Sequence, residues 1–182
     1  TQFPVQAAAS FQDFPNGVFD RLGTPDGLSQ GTVITVFQDK AGFMWFGTQE
    51  GLNRYDGYSF TSFYRLDGDP SSISNDMIWD IAEDGSGHMW IATEGGLNRY
   101  DPATESFVLV DLDLSHGFGV SHNVVRSLLL DSEGVFWVGT DEGLARRERD
   151  GSFTHLHHDP EDPNSIGKGS VRTIFESEDG TI

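Results

Sequence analysis

Three side chains in this sequence combine a binding chemistry with a matched position: Trp79, Arg126 and Arg172. A tryptophan ring offers an apolar face that suits the C–H side of a pyranose. An arginine forks onto a carboxylate or sulfate through parallel hydrogen bonds. The chain has eleven basic residues against twenty-nine Asp and Glu, a formal net charge of −18, so arginines at equivalent places are conspicuous. Asn75, His122 and Asn123 shortly precede two of these positions and add polar groups. Together the six form a candidate ligand site. The alternative is that Trp79 packs and the arginines offset neighbouring acids.

Other clusters read more plainly. His155 and His157 in "THLHHD" would share one strand face, a spacing open to a metal. The same place elsewhere reads "TSFYRL", an outer strand, and that is the simpler reading. "DLDLSH" (Asp111 to His116) is acidic, but calcium needs more oxygens converging than such a run guarantees. No nucleophile stands beside an obvious base. No metal, cofactor or catalytic activity is expected. With no basic stripe to neutralise phosphates, no nucleic-acid or anionic-membrane partner is expected. There is no cysteine, which excludes disulfides, thiolate zinc and thiol catalysis. No apolar run is long enough to span a membrane.

What makes the three positions equivalent is a repeat. "DKAGFMWFGTQEGLNRYDG", "DGSGHMWIATEGGLNRYDP" and "DSEGVFWVGTDEGLARRERDG" begin at Asp39, Asp84 and Asp131. Trp45, Trp90 and Trp137 recur at intervals of 45 and 47 residues. A period of this size marks one supersecondary unit per repeat. Within one unit, "TVITVFQD" and "FMWFGT" are short and apolar on both faces, while "LNRYD" and "SFTSFY" alternate. Turn signals separate them: Asp39 with Gly42, then Gly51, then Asp56-Gly57. Four antiparallel strands per unit make the blade of a β-propeller. Inner strands lie between neighbouring blades and are apolar on both sides; the outermost meets water.

Trp45, Trp90, Trp137, Gly47, Gly51, Gly96, Gly139 and Gly143 are then scaffold. Arg54 and Arg99 recur and read as structural, each pairing with an acid. Ile34, Trp79, Arg126 and Arg172 align on the innermost strand but differ, as do the residues just before it. A scaffold keeps one residue at a place; recognition diversifies it.

The chain is thus expected to be all-β, a propeller fragment of four-stranded antiparallel blades near 28–66, 73–112 and 120–158, with half a blade over 166–182. Residues 1–17 are expected to be a flexible segment, with Ala7-Ala8-Ala9 resembling the end of a secretory signal. Residues 18–182 would form the partial propeller, opening on an orphan outer strand around Val18–Leu22. Three whole blades do not close a ring of ~4 to 8. Two chains exchanging the orphan strand and the half blade would satisfy both edges as a homodimer.

"LSQGTVITVFQDKAGFMWFGTQEGLNRYDGYSFTSF" and "DPSSISNDMIWDIAEDGSGHMWIATEGGLNRYD" resemble the two-component regulator propeller repeat, as does "DPNSIGKGSVRTIFESEDG". The resemblance runs from about Val18 to Ile182. Ala92 departs from it where a glycine is usual, and Ala145-Arg146-Arg147 departs where Asn-Arg-Tyr is usual. The resemblance implies the periplasmic sensor propeller of a bacterial transmembrane receptor. Its output would be a histidine kinase or a diguanylate cyclase, and its ligand a small molecule or an oligosaccharide. A protein-interaction propeller, or a propeller lyase or lactonase, are the competing readings.

Overall fold

The computed structural model describes residues 21–112 and 124–182. Twelve strands form three four-stranded sheets, each a simple antiparallel meander. The first contains β1 (Val33–Gln38), β2 (Met44–Thr48), β3 (Gly51–Tyr55) and β4 (Phe60–Phe63). The second contains β5 (Ile78–Glu83), β6 (Met89–Thr93), β7 (Gly96–Asp101) and β8 (Ser106–Val110). The third contains β9 (Val125–Leu130), β10 (Phe136–Thr140), β11 (Gly143–Arg147) and β12 (Phe153–Leu156). Among the described residues the only helical element is a short 3₁₀ turn at Thr24–Asp26. These are the propeller blades that the repeat predicts.

The repeated letters earn their places by hydrogen bonding. Asp39, Asp84 and Asp131 each accept the indole N–H of the tryptophan six residues on, at 2.8, 3.0 and 2.8 Å. The other oxygen of each accepts the backbone N–H four residues on, at 2.9, 3.0 and 2.7 Å. One carboxylate therefore fixes both the first hairpin and the ring beyond it. Thr48, Thr93 and Thr140 donate to the carbonyls of Gly51, Gly96 and Gly143. Those three glycines carry φ of 117°, 126° and 142°, a region that a Cβ disfavours. Asn53 and Asn98 accept the backbone N–H of Ser29 and Ser74, tying each blade to the segment that enters it. Ala145 fills that place in the third blade and has no amide to offer.

The core is not inside a blade but between blades. Trp45, Leu52, Ile73, Ile78, Ile91 and Tyr100 join the first sheet to the second. Trp90, Leu97, Val125, Leu128, Phe136 and Val138 join the second to the third. Inner strands touch inner strands, β1 on β5 and β5 on β9. A Cβ on Gly47 would lie 2.6 Å from Ile78 Cγ2, so that glycine permits the close approach.

The fourth repeat is seated like the others. Val171 accepts a hydrogen bond from Ser127 Oγ and donates one to Thr140. Ser132 donates to Glu176 at 2.8 Å, as Lys40 donates to Glu83 at 3.1 Å. The turn at Ser177–Gly180 closes with a 2.9 Å bond. Residues 170–176 carry no strand ladder. The two outer faces are apolar and open. Val36 is 52% exposed where its equivalents Ile81 and Leu128 are 4% and 7%, and Phe175 is 74% exposed. Of the orphan outer strand expected at Val18–Leu22, only Arg21 and Leu22 lie among the described residues, and they are in no strand.

Candidate functional site

Each innermost strand holds one residue too many for its ladder. Val33 pairs with Thr48 and Thr35 with Gly47, which leaves Ile34 out of register. Ile78 pairs with Thr93 and Asp80 with Ala92, which leaves out Trp79. Val125 pairs with Thr140 and Ser127 with Gly139, which leaves out Arg126. A β-bulge frees its extra residue from pairing and re-aims the side chain. The residues that diverge between repeats are thus the ones at the bulges. Most of the residues that remain in the ladder, Asp80, Glu83 and Gln38 aside, are apolar or small and pack between blades.

The bulges lie at the same end of each sheet as the hairpins β2–β3, β6–β7 and β10–β11. The structure brings Trp79 and Arg126 together: the guanidinium carbon is 4.7 Å from the centroid of the Trp79 ring. Arg126 also forks onto Asp141 of the β10–β11 hairpin, Nε to Oδ1 at 2.5 Å and Nη2 to Oδ2 at 3.1 Å. The Asp141 hydrogen bond, outweighing burial, pushes the arginine further above its ordinary value, and the charges of Asp141 and Glu94 add to this. The fork expected to be free for a ligand anion is therefore held by Asp141, and one face of Trp79 is held by Arg126. The indole nitrogen of Trp79 is buried without a hydrogen-bond partner.

Beside Trp79, Asp80 points into the interface. Its carboxylate accepts Leu128 N at 2.8 Å, Ile81 N at 2.9 Å and Thr35 Oγ1 at 3.4 Å, so it touches all three inner strands. Burial raises its pKa, partly opposed by these hydrogen bonds. Asn75 accepts Met77 N at 2.9 Å and lines a groove of about 690 Å³ with Arg65, Ile73, Gly95 and Leu109. Arg172 is exposed, with a 3.4 Å bond to Ser170. His122 and Asn123 lie outside the described residues.

Asp80, Asp141 and Glu94 are the site groups that the sequence reading missed. The alignment held a signal for Asp80: its equivalents Thr35, Ser127 and Thr173 are all small and polar. For Asp141 the signal was weaker, an acid in a hairpin rich in acids. The His155 ring contacts the Leu112 carbonyl across to the second blade, and no group of three metal-binding side chains occurs among the described residues.

The comparisons agree with this architecture. Residues 27–50, 72–95 and 119–142 match the family described as two component regulator propeller. The extracellular domain of a protein described as a hybrid two component system of B. thetaiotaomicron superposes with a TM-score of 0.74 at 31% identity, over 88% of this chain and 23% of that one. A second such domain from the same organism gives 0.69 at 25% identity, over 87% of this chain and 21% of its own. "Histidine kinase P4" of Formosa agariphila is 51% identical over 45 residues, 25% of this chain and 3% of its own length. The chain thus spans under a quarter of the length of each of these three relatives.

Proposed function

The chain is built of two-component regulator propeller repeats, and from that premise we propose that it is part of the extracytoplasmic sensing propeller of a bacterial transmembrane receptor. In this reading it binds a carbohydrate, performs no catalysis, and passes a change in blade packing to an output domain elsewhere in the receptor. The observation that carries the reading is the coincidence of bulge and divergence. At one end of every described sheet the fold releases a single side chain from the ladder, and those are the side chains that differ: Ile34, Trp79 and Arg126.

Trp79 is half-buried against the core between the second and third sheets, and in this reading the part of its ring left open meets a sugar ring, with Arg126 fixed against one face. In this reading Asp141 and Glu94, both acting on Arg126, would supply acceptors for hydroxyl groups. This favours a neutral polyhydroxyl ligand over an anionic one, because Asp141 already engages the arginine. Arg172 would extend the same rim. In the receptor, further blades would cover the faces that expose Val36 and Phe175. In the isolated chain, strand exchange with a second copy would serve the same surfaces, and light scattering distinguishes the two.

Calorimetric titration of the intact protein with neutral and acidic oligosaccharides tests the reading. Trp79→Ala should weaken a confirmed ligand about tenfold, the equivalent of ~1.4 kcal/mol. An unchanged affinity in both Trp79→Ala and Arg126→Ala would remove the bulge row as the site.

A further inference from the structure

Two interfaces between neighbouring sheets repeat one another, and they differ in charge at one place. Between the first and second sheets, Arg54 donates to Tyr100 Oη at 3.0 Å and to Glu105 Oε1 at 2.7 Å. Between the second and third sheets the same three places hold Arg99, Arg147 and Gly151. Arg99 lies opposite Trp90 as Arg54 lies opposite Trp45. Arg147 lies opposite Phe153 as Tyr100 lies opposite Phe107. Gly151 takes the left-handed turn position of Glu105, with φ of 90° against 52°. A phenol and a carboxylate have thus been exchanged for a second cation and an absent side chain.

The contacts place Arg147, and the strand register places Arg99, on the face of Trp90. The Arg147 guanidinium lies 5.2 Å from the centroid of the Trp90 ring. Arg99 is directly opposite Trp90 in the ladder, and residues so paired share a face. That face is turned to the third sheet, where Trp90 packs on Phe136 at 5.3 Å. Among the described residues, Arg99 has no ion pair, whereas Arg54 has Glu105. Arg147 Nε is buried with no hydrogen-bond partner, and Nη1 makes a long ion pair, 3.7 Å, with Asp84 Oδ2, which also lines the cleft beside it; the distance is beyond hydrogen-bond reach. That oxygen already accepts Trp90 Nε1. A cleft of about 280 Å³ opens beside Arg147, and Arg149, Glu148 and Glu133 also line it. Glu148 is engaged by Arg146 at 2.8 and 3.0 Å, and Glu133 is exposed.

We propose that Arg99 and Arg147 form an oxyanion site, in which the carboxylate or sulfate group of a small ligand stands where the Glu105 carboxylate stands at the neighbouring interface. The Arg54–Glu105 pair shows that this interface accepts a carboxylate, and Gly151 vacates the volume for one. Two arginines presenting forked donors match planar and tetrahedral oxyanions alike. The site lies at the end of the sheets opposite the bulges, and it does not depend on the sensing role assigned to Trp79.

The test is titration of the intact protein with sodium sulfate and with sodium acetate, against sodium chloride at equal ionic strength, read by calorimetry and by melting temperature. A saturable response to sulfate or to acetate beyond that to chloride is expected, and the responding salt identifies the group. Gly151→Glu, which returns the acid found at the other interface, should weaken that response at least tenfold. Arg147→Tyr, which returns the phenol, should weaken it as well and guards against misfolding of the first variant. Equal responses to all three salts, or a sulfate or acetate response that survives both substitutions, would overturn the proposal.

Discussion

Replacing the aspartate that opens each first hairpin should cost different amounts in the three sheets, although the motif is the same. Asp84 is 3% exposed and Trp90 is 2% exposed. Asp84→Ala removes a charge-assisted bond to Trp90 Nε1 at 3.0 Å and two to the backbone N–H groups of Ser86 and His88. The two backbone groups can turn to water, but the buried indole cannot. Leaving such a donor unsatisfied costs about 1–3 kcal/mol, and a bond to a charged group contributes roughly 1.5–3. A loss of about 3–4 kcal/mol follows. Asp39 is half-buried but serves Trp45, which is 1% exposed, so Asp39→Ala should lose about 2 kcal/mol by the same reasoning. Asp131 serves the half-buried Trp137, where water replaces the acceptor, and about 1 kcal/mol is expected. Urea denaturation followed by tryptophan fluorescence, with the three alanine variants compared in one buffer, gives the order Asp84, Asp39, Asp131. Burial of Asp84 raises its pKa, but the bonds from Trp90, His88 and Ser86 outweigh this and hold it low. Its contribution is therefore full above the ordinary carboxylate range and lost as pH falls through the lowered value, so the gap between wild type and Asp84→Ala should close in acid. Equal losses in all three variants, or the largest loss at Asp131, would refute the claim that burial of the ring sets the cost.

Gly47→Ala and Gly139→Ala should each destabilise by about 1–3 kcal/mol through overpacking, since a Cβ would meet Ile78 at 2.6 Å in one and the Val171 carbonyl at 2.6 Å in the other; thermal melts check this. Asp80→Asn should gain stability relative to wild type as pH rises from acid to neutral. Burial raises the Asp80 pKa, so its favourable contribution is full below the unfolded value and lost as pH rises through the folded one; a flat difference between pH 4 and pH 7 would count against this. Asn98→Ala should cost about 1–3 kcal/mol by stranding buried partners, and should speed hydrogen exchange at Ser74 N, which it holds at 3.0 Å.

Much of this fold was legible because a propeller blade is a local object. Strand, turn and strand follow within some forty residues, and each turn announces itself by an aspartate, a glycine or both. The spacing of Asp39 and Trp45 carries its own hydrogen bond, so the repeat alone announced a four-stranded unit around each motif. The alignment of repeats also isolated Ile34, Trp79 and Arg126 as the divergent row. What it did not carry was the reason for their divergence. A bulge is one residue of mismatch between two strands, and neither strand's pattern records it. The partners of that row were equally hidden. Asp141 reaches Arg126 across the strands of one sheet, which needs only strand pairing, whereas Asp80 reaches Thr35 and Leu128 on two other blades, contacts that exist only once the sheets are stacked. The same holds for Arg99. In the sequence it is the twin of Arg54, and the expectation that each would pair with an acid was natural. The acid belongs to the next blade, where Glu105 serves Arg54 and Gly151 leaves Arg99 without one. Period and turn chemistry are properties of one repeat, whereas charge balance is a property of two repeats pressed together.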